Sequence, residues 1–102
     1  MIHQLKIEKQ HFEDVVSGKK TFEVRNNDRN FQEGDGLALN EIDENGVYTD
    51  RSALYDVIYV LKNPEYVKEG FVILGIRPCV VEIKPVGTKP SVLVRVLENG
   101  SK

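Results

Sequence analysis

The run from Leu54 to Lys62 constrains the fold of this chain more than any other part of its sequence. It is rich in β-branched, aromatic and aliphatic residues, and Asn63-Pro64 ends it. Such a run predicts a strand that is buried on much of both faces. Shorter runs that predict further strands are Ile2–Ile7, Lys20–Arg25, Gly36–Ile42, Phe71–Ile76, Cys79–Lys84 and Ser91–Leu97.

Helical periodicity is confined to the segment Glu8–Ser17. Phe12, Val15 and Val16 recur there at the spacing of one helix face, while the acidic residues between them point elsewhere. Gly18 follows at the position where a left-handed residue commonly ends a helix. The sequence therefore predicts one short helix of about three turns, between the first strand and the second.

The turn signals favour a small, closed or nearly closed β-barrel, with a β-sandwich as the alternative. Asn45-Gly46 is a strong hairpin signal. The last two runs, separated by a segment that begins at Pro85 and ends at Pro90, can pair as a second hairpin. A barrel also removes exposed strand edges. The predicted class is mainly β (α+β), with one or two short helices.

Length and composition narrow the classes of protein further. The chain has 102 residues, which suits one domain. The single Cys79 excludes a disulfide framework and a multi-cysteine zinc site. No apolar stretch approaches the ~20 residues of a membrane span, and no secretory signal is evident. We therefore expect a cytoplasmic protein without a membrane partner.

Charge is distributed unevenly, although the net charge is only −2. Residues 1–30 carry six basic and five acidic side chains. Residues 31–60 carry one basic and seven acidic side chains, and residues 61–102 carry seven basic and four acidic ones. An acidic middle between two mildly basic ends allows a local positive surface on a weakly acidic protein.

The densest group of polar side chains lies in the predicted strand Lys20–Arg25. Thr21, Glu23 and Arg25 share one face of that strand, and Lys20 stands at its entry. Arginine offers a forked, permanently charged donor, and glutamate accepts from an amino group. Such a group can bind a phosphate or a base edge. The alternative is a set of exposed ion pairs, which contribute less than ~1 kcal/mol each.

The string Gly18-x-Lys20-x-x-Glu23-x-Arg25 resembles the signature of the ASCH domain family, a branch of the PUA-like superfamily. A small ASCH-like family of unknown function in bacteria and phages is similar over more of the chain. The similarity involves His3–Ile7, Phe12, Ser17–Arg25, Asp28-Arg29-x-Phe31-x-x-Gly34-Asp35 and Gly70–Ile76. This resemblance divides the chain into an ASCH-like domain, residues 1–77, and a C-terminal extension, residues 78–102, which we predict to be a β-hairpin on the same domain.

The resemblance implies a PUA-like barrel of five or six strands whose helix covers one opening, beside a cleft that binds RNA or a nucleotide. Lys20, Glu23 and Arg25 would line this cleft, with Asp28 and Arg29 at its rim. Arg25 would contact phosphate or a base edge, Lys20 would supply charge, and Glu23 would orient them or read a base amine. No cofactor is implied, and two isolated histidines make a metal site unexpected.

Some ASCH relatives are small amidohydrolases that deacylate a modified cytidine, which gives the alternative function. They resemble this chain at Lys20 and Arg25, but they have a threonine at the position of Glu23 and use a carboxylate from a later strand. In such an enzyme Lys20, Thr21 and Glu23 would carry the chemistry. A carboxylate beside Lys20 favours its protonated form, which is a poor nucleophile. We therefore rank binding of RNA or a nucleoside-like ligand above catalysis.

The C-terminal extension gives a prediction about assembly. Val92, Val94 and Val96 alternate with polar residues, a pattern that suits an edge strand. The chain is accordingly expected to be a monomer or a homodimer formed through Cys79–Lys102.

Overall fold

A computed structural model describes the backbone of residues 1–83, 91–94 and 96–98, and the side chains of residues 1–79. In this part of the chain the protein is mainly β with one short helix, as the sequence predicts. The elements are β1 (Ile2–Glu8), α1 (Lys9–Val16), β2 (Phe22–Asn26), β3 (Gly36–Ile42), β4 (Tyr48–Leu61), β5 (Phe71–Pro78), β6 (Val80–Ile83), β7 (Ser91–Val94) and β8 (Val96–Glu98).

The main sheet has the strand order β1-β3-β4-β5-β2, with β8 pairing with β4 as well. β1 is parallel to β3, and the other neighbours are antiparallel. The long strand β4 pairs with β3 along one edge. Along the other edge its residues Arg51–Ala53 pair with β8 and its residues Tyr55–Leu61 pair with β5. β6 and β7 form a separate antiparallel pair.

The concave side of the sheet carries the hydrophobic core. Alternate residues of β1, β3 and β5 are buried, including Leu5, Leu37, Leu39, Val72 and Leu74. The helix adds the fully buried Phe12 and Val15. The buried Tyr55 hydroxyl donates to the Val15 carbonyl oxygen at 3.2 Å, which ties the helix end to β4.

The sheet forms a half-barrel, because its end strands β1 and β2 share no backbone ladder in the described residues. Two guanidinium groups bond to β1 instead, one from Arg25 on β2 and one from Arg29 in the loop that follows β2. Arg25 Nη2 donates to the Lys6 carbonyl oxygen at 2.7 Å, and Arg29 Nη1 donates to the Gln4 carbonyl oxygen at 2.8 Å. We call the gap between β1 and residues 22–29, which comprise β2 and the start of the following loop, the seam; both bonds cross it. The fully closed barrel considered from the sequence is therefore not formed in this part of the chain.

Several predicted strands differ from the structure in their bounds. The run Ser91–Leu97, for example, contributes to two strands, β7 and β8, which pair with different partners. β2 begins at Phe22 rather than Lys20, because the chain is still leaving the helix at Lys20. β4 begins at Tyr48 rather than Leu54, because the β3–β4 hairpin extends the pairing back to Ile42 and Tyr48. In that turn the Asp43 carboxylate accepts hydrogen bonds from the Asn45 and Val47 amides, each at 2.9 Å.

None of the described helical segments has the length and apolar character needed to cross a bilayer. The side chains of residues 80–102 lie outside the described part. The edge-strand pattern at Val92, Val94 and Val96 and the homodimer predicted from it therefore remain predictions.

Candidate functional site

The strand β2 has an inverted pattern of burial. Its apolar residues Phe22 and Val24 are 43% and 49% exposed, whereas Glu23 is 3% exposed and Arg25 is half-buried. A strand on an apolar core normally turns its aliphatic side chains inward and its charges outward. Local patterns of this kind are broken chiefly at functional or strained sites. β2 is therefore the first candidate for a functional element.

Glu23 lies between two cations. Its Oε1 atom accepts from Lys20 Nζ at 2.9 Å, and its Oε2 atom accepts from Arg25 Nε at 3.1 Å and Nη2 at 3.0 Å. The side chains of Lys20 and Arg25 are 16% and 24% exposed, so both cations are largely withdrawn from bulk water. The alternative of exposed surface ion pairs does not describe this cluster. A buried carboxylate of this kind is tolerated because it is paired and hydrogen-bonded.

The end of the helix places Lys20 in this cluster. Gly18 adopts φ +82°, a left-handed conformation that a residue without a Cβ enters readily. The chain then turns back, and the Lys20 amide donates to the Asp14 carbonyl oxygen at 2.8 Å. Lys20 thus approaches Glu23 from outside the strand, although strand alternation alone would direct it to the opposite face.

The cluster forms the floor of an open cleft of about 620 Å³ between the end of β1, the helix and β2. His11, Phe22 and Val24 contribute to its wall. Its formally charged side chains are the cations Lys6, Lys19, Lys20 and Arg25 and the anions Glu8, Asp14 and Glu23. The cleft is therefore close to neutral with a small excess of positive charge. This arrangement favours directed hydrogen bonds over bulk attraction.

A second cavity of about 300 Å³ adjoins the cleft on the other side of Arg25; we call it the side cavity. Arg25 and Val24 line both spaces. Asp28 and Arg29, expected at the rim of the cleft, line the side cavity instead. The structure thus brings Lys20, Glu23 and Arg25 together as predicted and places Asp28 and Arg29 in a neighbouring space.

Thr21 is not part of the cluster in the described structure. It precedes β2, it is exposed, and it is not among the residues that line the cleft. Its carbonyl oxygen accepts from the Ile76 amide at 3.0 Å, which fixes the start of β2 on β5.

Sequence reasoning missed several residues that line the cleft. His11 and Asp14 are three positions apart on the helix and therefore lie on one face. This spacing could have predicted that both line one surface, because each directly precedes a buried helix residue, Phe12 or Val15. No such signal marked Lys6, because the group that Arg25 binds is its backbone carbonyl. No metal-binding group of three or more His, Cys, Asp or Glu side chains is found among the described residues.

The predicted Gly34-Asp35 turn forms a separate polar cluster. Asp35 Oδ2 lies 2.8 Å from Nε2 of the buried His3 and accepts from the Gln32 amide at 3.0 Å. The hydrogen bond with His3 is the main cause that lowers the pKa of Asp35, and burial opposes it in part. This cluster anchors the start of β1 to the turn before β3, so we regard it as structural.

Comparison with known proteins identifies the family of this chain. Residues 2–76 match the family described as a domain of unknown function (DUF3850). Over 50 residues the chain is 44% identical to the "Uncharacterized 12.9 kDa protein in GpA 3'region" of Escherichia phage P2. That stretch covers 49% of this chain and 45% of the phage protein, so the match spans less than half of the relative. Since the family match extends over most of its length, this chain belongs to the DUF3850 family.

Proposed function

We propose that this protein is an ASCH-like domain of the PUA-like superfamily that binds RNA or a nucleotide in the cleft, and that it acts in the cytoplasm. The observation that carries the proposal is the buried Glu23 carboxylate held between Lys20 and Arg25 on the cleft floor. A purely structural role would be better served by aliphatic side chains, because replacing a buried ion pair with well-packed apolar residues is often neutral or stabilising.

The hydrogen bonds of the cluster leave donors available to a ligand. Lysine has three N–H donors, of which one points to Glu23. Arginine has five. Among the described residues the hydrogen bonds of Arg25 use its Nε and Nη2 groups, so Nη1 remains for a phosphate or a base edge. Glu23 has little accepting capacity left. It therefore orients the two cations rather than reading a base amine.

A titration with the four nucleoside 5′-monophosphates and with short single-stranded RNA, at low and at moderate salt, tests the proposal. We expect binding that weakens as salt rises. Arg25→Gln is expected to lower the affinity about tenfold or more, because a hydrogen bond to a charged group is lost. Arg77→Gln, at an exposed position of β5, is the matched control. Absence of binding at low salt, or an unchanged affinity of Arg25→Gln, contradicts the proposal.

Hydrolysis of an N-acylated cytidine is the weaker proposal. The resembling hydrolases use a carboxylate from a later strand, whereas the cleft is lined, among described residues, only by side chains between Lys6 and Arg25. We expect incubation with acylated cytidines to release no cytidine above the rate in buffer. Release that Lys20→Ala abolishes would reverse the order of the two proposals.

A further inference from the structure

From the side cavity we infer that the seam carries a second nucleotide subsite, so that the ligand is a single strand of RNA at least two nucleotides long. This inference rests on the proposed function and names its substrate class. One subsite is the cleft that contains Lys20 and Glu23. The other is the side cavity, which Asp28 and Arg29 line.

The two spaces are adjacent and follow the same strand edge. The cleft, of about 620 Å³, and the side cavity, of about 300 Å³, share Val24 and Arg25 as lining residues. The side cavity is lined mainly by polar groups, including those of Asp28 and Arg29, over the largely buried Leu5 and Phe31. A volume of about 300 Å³ lies at the lower end of the range for ligand sites, which suits one nucleotide unit and no more.

The two arginines are spaced regularly along the seam. Arg25 is held by the carbonyl oxygen of Lys6, and Arg29 by that of Gln4. These carbonyls are two residues apart on one strand, a separation of ~7 Å. That distance is comparable to the step between successive phosphates of an extended single strand. A strand lying along the seam can therefore bring one phosphate to each guanidinium.

Both arginines retain donors for this purpose. Arg29 is exposed, and its hydrogen bond within the described part of the chain uses only an Nη1 donor. Arg25 keeps its own Nη1 group, as described above. Asp28 also lines the side cavity and repels phosphate, so its carboxylate is better placed to accept from a ribose hydroxyl or a base amino group. Along the seam, guanidinium groups that can donate hydrogen bonds to phosphate therefore alternate with spaces that can hold a base.

The test compares ligands of increasing length on the intact chain: nucleoside 5′-monophosphates, 5′-phosphorylated dinucleotides and pentanucleotides of each base. Affinity is expected to rise clearly from monophosphate to dinucleotide. With pentanucleotides, Arg29→Gln is expected to reduce the slope of log affinity against log salt by about 0.7, the value for one phosphate contact on a single strand. Arg29→Lys keeps the charge and is expected to keep the slope, and Arg77→Gln again serves as control.

The outcomes separate this inference from the proposed function. Monophosphates that bind as well as dinucleotides overturn the second subsite and leave the proposed function intact. Binding of none of these ligands overturns both. The same slope for Arg29→Gln and the unmodified chain also overturns the second subsite. If Arg29→Gln does not fold, the length series on the unmodified chain decides the question by itself.

Discussion

Glu23 is the residue on which the candidate site depends. Glu23→Gln keeps the shape of the side chain but removes the charge that neutralises Lys20 and Arg25, two cations that are themselves mostly buried. Removing one partner of a fully buried pair costs about 3–5 kcal/mol, and the partial exposure of these cations lowers the expected loss to about 2–3 kcal/mol. Urea unfolding of Glu23→Gln and of the unmodified chain measures this loss of unfolding free energy.

The matched control for this substitution is Glu33→Gln, at an exposed position of the turn before β3. It removes the same charge without uncovering a cation, so its free energy of unfolding is expected to stay within about 0.5 kcal/mol of the unmodified chain. Equal unfolding midpoints for Glu23→Gln and Glu33→Gln would show that the carboxylate between the cations stabilises nothing.

Asp35 gives the fold a dependence on pH. Its hydrogen bond with His3 lowers its pKa below the ordinary value of 3.8, so the folded state binds the proton of this group less tightly than the unfolded state. The resulting stabilisation is fully present above that value and is lost as the pH falls through the lower folded-state pKa. Stability is therefore expected to decrease on acidification below about pH 4.

Unfolding in urea at a series of pH values, for the unmodified chain and for Asp35→Asn, measures this contribution. The stability difference between the two chains is expected to shrink as the pH falls below about 4. Glu69→Gln, at an exposed position, controls for the general effect of losing an acidic group. A difference that does not change with pH would contradict the role of the Asp35 carboxylate.

At this scale the sequence predicted which residues meet but not which of them are buried. Alternation placed Glu23 and Arg25 on one face of a strand, and the structure agrees. Alternation could not show that this face turns inward, since Phe22 and Val24 on the opposite face are the natural core residues by hydrophobicity. Nor could it place Lys20, whose direction depends on the backbone at Gly18.

At the scale of elements, the side chains of Arg25 and Arg29 bond across the seam to β1, where a closed barrel would have a backbone ladder. The planar guanidinium of Arg25 bonds Glu23 and the Lys6 carbonyl together, which the single ammonium of a lysine cannot do in the same geometry. Arg25→Lys is expected to cost about 1–2 kcal/mol. Hydrogen exchange of the β1 amides is also expected to accelerate more than that of the central strand β4, because β1 loses one of the two guanidinium bonds across the seam.

Arg77→Lys is the control for the seam, because Arg77 is exposed on β5. It is expected to leave both stability and the exchange rates of β1 unchanged. If Arg25→Lys accelerates exchange equally in β1 and β4, the seam does not act as a separate link and the variant has lowered global stability only.

Elements were predictable where local sequence decides them. The helix, the β3 strand and the Asn45-Gly46 turn follow from periodicity and turn chemistry. The first part of β4 was missed because Asp50 and Arg51 weaken its strand propensity. The hairpin nevertheless carries the pairing through these residues, since Ile42 lies opposite Tyr48. Pairing between strands, and therefore the open seam, is not encoded in the periodicity of one strand.

At the scale of the whole molecule, β4 belongs to the family-matched region and also pairs with the C-terminal extension through β8. β8 pairs with β4 at Arg51–Ala53, beyond the point where β5 ends opposite Tyr55. The Cys79 amide continues this edge by donating to the Leu54 carbonyl oxygen at 3.0 Å. Removing Cys79–Lys102 therefore leaves this part of the β4 edge without its backbone partners, while all residues that line the cleft remain.

We expect a chain ending at Pro78 to fold cooperatively, with a free energy of unfolding about 1–3 kcal/mol below that of the full chain, because a few backbone hydrogen bonds of about 1 kcal/mol each are lost. Exchange of the Arg51–Ala53 amides is expected to accelerate, and affinity for nucleoside monophosphates to stay the same. Comparing the solution mass of both chains tests the predicted homodimer as well. A shortened chain that does not fold contradicts an independent domain at residues 1–77, because β4 would then need its partner in the extension.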